Sequence, residues 1–150
     1  MEQSEFSKVT SLLGGEATLR QVVTSPFEAH ELIETGLPSG ALSALRAHIG
    51  DLPFAAVERV VGISLRTVQR HEAEGGKRRL STEQSGRAWK FAEILGRASE
   101  VFGTQAAAED WLKRPALALD QRTPLELLST PAGTKLVEDH LTRLEYGVYE

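Results

Sequence analysis

The middle of the chain carries closely spaced polar side chains that could read DNA bases, namely Ser64, Arg66, Thr67, Gln69 and Arg70. An Arg side chain can donate two hydrogen bonds to O6 and N7 of guanine, and a Gln side chain can bind N6 and N7 of adenine. If the segment is a helix with Leu65 and Val68 turned to the core, the other side chains face outward near its N-terminal end. A recognition helix contacts base edges in the major groove at this end.

The preceding residues complete the pattern of a helix-turn-helix over residues 52–72. An apolar face on the first helix is made by Phe54, Val57 and either Val60 or Val61. Gly62 permits a tight turn, Ile63 fills the angle between the helices, and Ser64 caps the second helix. The same pattern also fits two packed helices joined by a glycine turn in a protein that never binds DNA.

Glu58 departs from the common helix-turn-helix pattern. Many such proteins have a small residue four positions before the turn glycine, and this chain has Glu58 there. A carboxylate at this position must face solvent or pair with a neighbour such as Arg59. We therefore expect either a rotated first helix or a weak contact with the DNA groove, and several weak modules could then bind DNA only within an oligomeric complex.

Charge is unevenly distributed along a chain of net charge -4. Residues 59–90 hold eight basic and three acidic side chains, whereas residues 1–58 hold three basic and eight acidic ones. Lys77, Arg78 and Arg79 follow the second helix and could neutralise DNA phosphates, which adds affinity without sequence information. Alternatively, they keep a linker solvated.

Several classes of protein are disfavoured by composition. The chain has no cysteine, and its four histidines are scattered singly, so we expect neither a metal site nor a cofactor. Its carboxylates form no recognisable acid–base set, and no glycine-rich loop could hold a phosphate, so we do not expect an enzyme. No apolar window is long enough to span a bilayer and no signal sequence is evident, so we expect a cytoplasmic protein without membrane contact.

Helix-capping signals recur and strand patterns are absent, so the predicted fold class is all-α. Three Ser/Thr-Pro pairs predict helix starts, at Ser25-Pro26, Thr123-Pro124 and Thr130-Pro131. Ser81 and Gln84 form a potential capping box before a long apolar-faced run that Gly103 ends. The four aromatic residues Trp89, Phe91, Phe102 and Trp111 are expected in the core.

Two glycine pairs suggest the domain organisation. Gly14-Gly15 interrupts the first apolar pattern, so residues 1–24 are expected to form a weakly structured arm. Gly75-Gly76 begins a charged run that predicts a linker. The predicted order is therefore a helix-turn-helix region over residues 25–76, followed by a small helical domain over residues 77–150.

The C-terminal end is unusually apolar. Leu144, Tyr146, Val148 and Tyr149 lie close to the terminus, where ordinary monomers carry polar residues. Tyrosine is enriched among binding anchors, and Glu150 adds a carboxylate beside the terminal one. These residues predict a partner-binding tail, although the two tyrosines and Val148 could instead pack on their own core or in a homodimer.

The chain resembles the Xre/MbcA/ParS antitoxin family over residues 27–150. Matching pieces in the same order include GLP (36–38), GISLRT (62–67), VFG (101–103), TPLELL (123–128) and EYGV (145–148). The resemblance implies an all-helical protein with an Xre-like helix-turn-helix and a C-terminal toxin-binding domain.

The resemblance also implies partners and a mechanism. The cognate toxin would be a RES-domain protein with an ADP-ribosyltransferase-like fold that consumes NAD⁺. The antitoxin would occlude its active site, act as a homodimer within a larger complex, and repress its own operon by binding operator DNA. The expected toxin-binding residues are Leu144, Tyr146, Gly147, Val148, Tyr149 and Glu150. The Glu150 carboxylates could engage arginines that otherwise hold the pyrophosphate of NAD⁺. The alternative is a solitary dimeric helix-turn-helix regulator without a toxin.

Overall fold

The computed structural model describes residues 2–147, with side chains described from Phe6 onward. Within this range the chain forms helices and no β-strand, which confirms the all-α prediction. The helices are α1 (Glu2–Leu12), α2 (Gly15–Leu19), α3 (Pro26–Thr35), α4 (Gly40–His48), α5 (Phe54–Val61), α6 (Leu65–Ala73), α7 (Thr82–Phe102), α8 (Gln105–Lys113), α9 (Pro124–Leu127) and α10 (Pro131–Glu145), with a short 3₁₀ helix over Leu117–Leu119.

Predicted caps open five of these helices, including α6, which Ser64 caps. Ser25 accepts a hydrogen bond from the backbone N–H of Glu28 at the start of α3, and Ser81 and Gln84 form both bonds of a capping box at the start of α7. Thr123 and Thr130 cap α9 and α10, each followed by proline. These side chains satisfy N–H groups that have no partner inside the helix, so the helix starts are fixed locally.

The long helix α7 is the centre of the fold. It packs against α1, α3, α5, α8 and α10. Phe91 and Leu95 are fully buried on it, and Trp89 is buried as well. Phe102 and Trp111 are partly buried against the same core, with ring centroids 5.4 Å apart. The four aromatic residues therefore occupy the core positions that the sequence predicts.

Residues 6–24 are not the weakly structured arm that the sequence suggested. Val9 and Leu13 in this segment are buried, as are Leu19 and Val23. Gly14, at φ 104°, reverses the chain between α1 and α2, so apolar residues on both sides of the glycine pair reach the core. Burying each such leucine contributes roughly 1.5–3 kcal/mol, which offsets the cost of ordering the segment.

The charged run after Gly75 is also held in place. The N–H of Ser39 donates to the carbonyl of Arg78 at 2.6 Å, and the N–H of Leu80 donates to the carbonyl of Leu37 at 2.8 Å. The segment therefore runs along residues 36–40. It is not a solvated linker, because its backbone polar groups pair with the start of α4.

Candidate functional site

The helix-turn-helix is formed by α5 and α6. Gly62 ends α5 at φ 84°, in the left-handed region that glycine adopts without strain, and its N–H donates to the carbonyl of Glu58 at 2.7 Å. Ile63 is buried between the two helices. The turn therefore has the geometry that the sequence predicted.

The outer face of α6 carries the predicted base-reading side chains. Arg66, Gln69 and Arg70 are exposed, whereas Val68 on the opposite face is buried. Neither Arg66 nor Arg70 forms an ion pair with a side chain of residues 6–147. Two cations and an amide are thus available to a ligand along one helix face.

Ser64 and Thr67 are engaged at the N-terminus of α6. The hydroxyl of Ser64 accepts a hydrogen bond from the backbone N–H of Thr67 at 3.1 Å and donates to the hydroxyl of Thr67 at 2.9 Å. Ser64 is exposed, so one side chain combines the cap with a position on the outer surface. The pair fixes the orientation of the first turn of α6.

Glu58 caps α6 as well. Its carboxylate accepts a hydrogen bond from the backbone N–H of Leu65 at 2.6 Å. The predicted pairing with a neighbour is therefore present, but the partner is this backbone N–H and not Arg59, with which Glu58 forms no ion pair, and the side chain is half-buried. The carboxylate lies where a negative group is favourable, next to the partial positive charge of a helix N-terminus.

The three basic residues after α6 differ in their surroundings. Lys77 is exposed and forms no ion pair with the described side chains, whereas Arg78 pairs with Glu74 at 3.1 Å. Arg79 donates from Nη1 to the carbonyl of Gly36 at 2.6 Å. Only Lys77 is therefore uncommitted, and Arg79 also holds the segment against the end of α3.

The predicted partner-binding tail begins where α10 ends. Leu144 is half-buried, Tyr146 is 78% exposed, and Gly147 follows at φ 78°. Val148, Tyr149 and Glu150 lie outside the described residues. An ion pair between Arg97 on α7 and Glu145 on α10, at 3.2 Å, connects the two helices next to Tyr146.

Two further exposed apolar side chains lie in the C-terminal part of the chain, and sequence reasoning did not select them. Leu136 on α10 is 53% exposed and Leu117 on the 3₁₀ helix is 73% exposed. The 3₁₀ helix packs against α10. For Leu136 the signal in the sequence was its position off the apolar stripe of Val137 and Leu141, which a surface residue of any kind can share. No pattern in the sequence marked Leu117.

A buried carboxylate that sequence reasoning also missed joins α8 to the loop before α5. Glu109 is 2% exposed. It accepts hydrogen bonds from four groups, the backbone N–H groups of Gly50, Asp51 and Leu52 and the side-chain amide of Gln105. Burial by itself would raise the pKa of Glu109, but these donors outweigh burial and lower it. An acidic residue on the apolar face of α8, between Ala108 and Leu112, was the available signal.

The described residues hold neither a cluster of metal-ligating side chains nor a membrane-spanning helix. No group of three or more His, Cys, Asp or Glu side chains within this part of the chain could hold a metal ion. No helix between residues 2 and 147 is long and apolar enough to cross a membrane.

Comparison with protein families identifies two matched regions. Residues 28–93 match the model of the antitoxin Xre-like helix-turn-helix domain, and residues 97–147 match that of the antitoxin Xre/MbcA/ParS C-terminal toxin-binding domain. The two matches meet within α7, whereas the charged run after Gly76 predicted a boundary there.

Individual relatives are similar over much of the chain. An Antitoxin Xre of Yersinia enterocolitica is 33% identical over 65% of this chain and 66% of its own length, so the chain spans about two thirds of that relative. An Antitoxin Xre of Pseudomonas putida is 32% identical over 83% of this chain and 76% of its own length. A Prs ADP-ribosylating antitoxin of a Sphingobium species is 25% identical over 83% of this chain and 82% of its own length.

Proposed function

The chain belongs to the Xre/MbcA/ParS family of antitoxins, which are not enzymes, and we propose that it neutralises a RES-domain toxin and represses its own operon. The toxin consumes NAD⁺, and the antitoxin occludes its active site. The observation that carries the proposal is the order of the two matched domains, a helix-turn-helix followed by a toxin-binding domain on one helical core.

The DNA-binding half of the proposal rests on the outer face of α6. Arg66, Gln69 and Arg70 read base edges in the major groove, and Ser64 and Thr67 orient the first turn. Phosphate contacts come from the basic segment Lys77, Arg78 and Arg79. Because a single helix-turn-helix covers one half-site, the proposed form is a homodimer within the toxin–antitoxin complex.

The toxin-binding half rests on the end of α10. Tyr146 presents an exposed aromatic ring next to the ion pair between Arg97 and Glu145, and such a ring suits a binding anchor. We assign Leu144, Gly147, Val148, Tyr149 and Glu150 to the same contact, with the last residues entering the toxin's active site. The Sphingobium relative is named for ADP-ribosylation, a reaction that uses NAD⁺, and this supports a toxin that consumes NAD⁺.

Affinity purification from the native cell tests the proposal. The tagged chain should recover a RES-domain protein in stoichiometric amount, and adding the purified chain to that protein should stop NAD⁺ consumption. Recovery of the chain alone or with DNA only would favour the solitary regulator.

Deleting residues 146–150 tests the occlusion step. The deletion leaves α10 intact, because this helix ends at Glu145. The truncated chain should keep its circular dichroism spectrum and melting temperature but no longer inhibit the toxin. Full inhibition by a folded truncated chain would rule out occlusion by the tail.

A further inference from the structure

We propose that the N-terminal helices extend the DNA-binding surface through Arg20, which forms one phosphate-binding groove with Lys77 and Arg79. The inference rests on the proposed function, because it assumes that α6 docks on DNA. It assigns a ligand to Arg20, which precedes the first matched domain at residues 28–93.

The three cations come together in one groove of about 530 Å³. The groove lies between the segment after α2, the start of α4 and the segment after α6, and its lining is Ala17, Thr18, Arg20, Pro38, Gly40, Gly75, Gly76, Lys77 and Arg79. No carboxylate lines it. Two acidic residues lie next to the lining segments. Glu74 pairs with Arg78 at 3.1 Å, and Glu16 is exposed but does not line the groove or form an ion pair with the described side chains.

Glycine makes the floor of this groove. Gly40 and Gly76 are in close backbone contact, because a Cβ at either position would lie 3.2 Å from a backbone atom of the other. The N–H of Gly40 donates to the carbonyl of Gly76 at 2.9 Å. The first amides of α4 are thus paired within the protein, so side-chain cations and not the helix N-terminus must hold an anion here.

The charges of the groove are uncompensated. Arg20 and Lys77 are exposed and form no ion pair with the side chains of residues 6–147. Arg79 is held through one nitrogen to the carbonyl of Gly36, which positions its guanidinium. Like charges that share a groove repel one another, and a polyanion relieves this repulsion and releases its own counterions.

The backbone at Arg20 follows from its place at the end of α2. Arg20 is the C-cap of this helix at φ 66°, and its N–H donates to the carbonyl of Glu16 at 2.8 Å. Helices commonly end in this left-handed conformation, which glycine adopts most easily. A glycine at position 20 is therefore compatible with the fold, so the side-chain charge can be removed without disturbing the cap.

The groove is continuous with the proposed DNA-binding helix. The N–H of Gly76 donates to the carbonyl of His71 at 2.8 Å, so the groove begins where α6 ends. A helix of nine residues is about 13 Å long, comparable to the roughly 12 Å width of the major groove. With the N-terminal end of α6 in the major groove, the cations at its other end lie near the phosphates of the groove wall.

Fluorescence anisotropy over a range of salt concentrations tests the inference. The probes are a labelled duplex of the DNA upstream of the gene for this chain and a duplex of scrambled sequence. Arg20→Gln should weaken binding to both probes by roughly 3- to 10-fold at physiological salt and reduce the slope of log affinity against log salt by about 1. Arg122→Gln is the control, because Arg122 is also exposed and forms no ion pair with the described side chains but lies in the toxin-binding domain.

A second variant separates binding from folding. Arg20→Gly relieves the left-handed backbone, so its melting temperature should equal or exceed that of the wild type while its affinity for DNA falls. The inference would be overturned if both Arg20 variants fold and bind DNA with the affinity and salt slope of the wild type. It would also be overturned if they lose toxin binding while DNA binding is unchanged. If Arg66→Ala impairs binding and the Arg20 variants do not, only this inference fails. If the wild type binds neither probe, alone or with toxin, then the proposed DNA-binding function and this inference both fail.

Discussion

The carboxylate of Glu109 accepts a hydrogen bond from the backbone N–H of Asp51 at 2.7 Å. This bond connects α8 to the loop that leads into the helix-turn-helix. Glu109 lies in the matched toxin-binding domain and Asp51 lies in the matched helix-turn-helix domain. A negative charge that is buried and bonded to several N–H groups specifies one relative position of the two elements, because any shift would leave it unpaired.

Glu109→Gln should lower the free energy of unfolding by about 2–3 kcal/mol. The substitution removes the charge from several hydrogen bonds and turns an amide N–H₂ group toward backbone donors. Urea denaturation followed by circular dichroism measures the change. Glu100→Gln, at an exposed ion pair with Lys8, is the matched control and should cost about 0–1 kcal/mol. Equal losses in the two variants would contradict a structural role for the buried carboxylate.

The pH dependence of stability should report the same contact. The pKa of Glu109 is lower in the folded protein than its ordinary value of 4.5, so the stabilisation is present above that pH and is lost as the pH falls through the folded pKa. The wild type should therefore lose stability in acid more steeply than Glu109→Gln. Denaturation curves at a series of acidic pH values check this, and parallel profiles would be the contrary result.

Glu58→Ala should destabilise the protein by about 0.5–2 kcal/mol, the range for loss of a helix N-cap, because the N–H of Leu65 loses its partner. Arg59→Ala should have almost no effect, since the two side chains do not pair. Thermal denaturation compares the variants. If they lose stability equally, Glu58 acts as a partner of Arg59 and not as a cap.

Lys77→Ala and Arg79→Ala should distinguish the contribution of charge to DNA affinity from the contribution of a hydrogen bond to stability. Both should weaken binding to specific and scrambled DNA alike and reduce the salt slope by about 1 each. Only Arg79→Ala should also lower the free energy of unfolding, by about 1 kcal/mol, because it loses the bond to the carbonyl of Gly36. Anisotropy titrations and urea curves measure the two effects, and an unchanged salt slope in both variants would exclude phosphate contact.

Tyr146→Ala should weaken toxin binding by at least 10-fold without changing stability, since a buried aromatic anchor contributes about 2 kcal/mol or more to an interface. Phe27→Ala is the control, because Phe27 is 81% exposed and Tyr146 is 78% exposed. Titration calorimetry with the purified toxin measures both. Similar affinities for the two variants would remove Tyr146 from the interface.

The sequence predicted the starts of α3, α6, α7, α9 and α10 because their caps are local. The hydroxyl of Ser81 and the amide of Gln84 need only each other's backbone, and proline after Thr123 or Thr130 presets the first turn. The turn at Gly62 was visible for the same reason.

The contacts that sequence reasoning missed join residues distant in the chain. Glu109 meets Asp51 only after α8 packs beside the loop before α5. Arg20 shares a groove with Lys77 only because α1 and α2 pack on the core. The sequence did not predict this packing, because the glycine pair at 14–15 is typical of a weakly structured segment.

The sequence by itself determined the all-α class, the helix-turn-helix and the outward face of α6, because caps and apolar periodicity act within a few residues. Tertiary structure alone decided that Glu58 caps α6, that the N-terminal segment is part of the core and that three cations share one groove. These outcomes depend on which buried surfaces and unpaired N–H groups meet when the helices pack, and no local pattern encodes that choice.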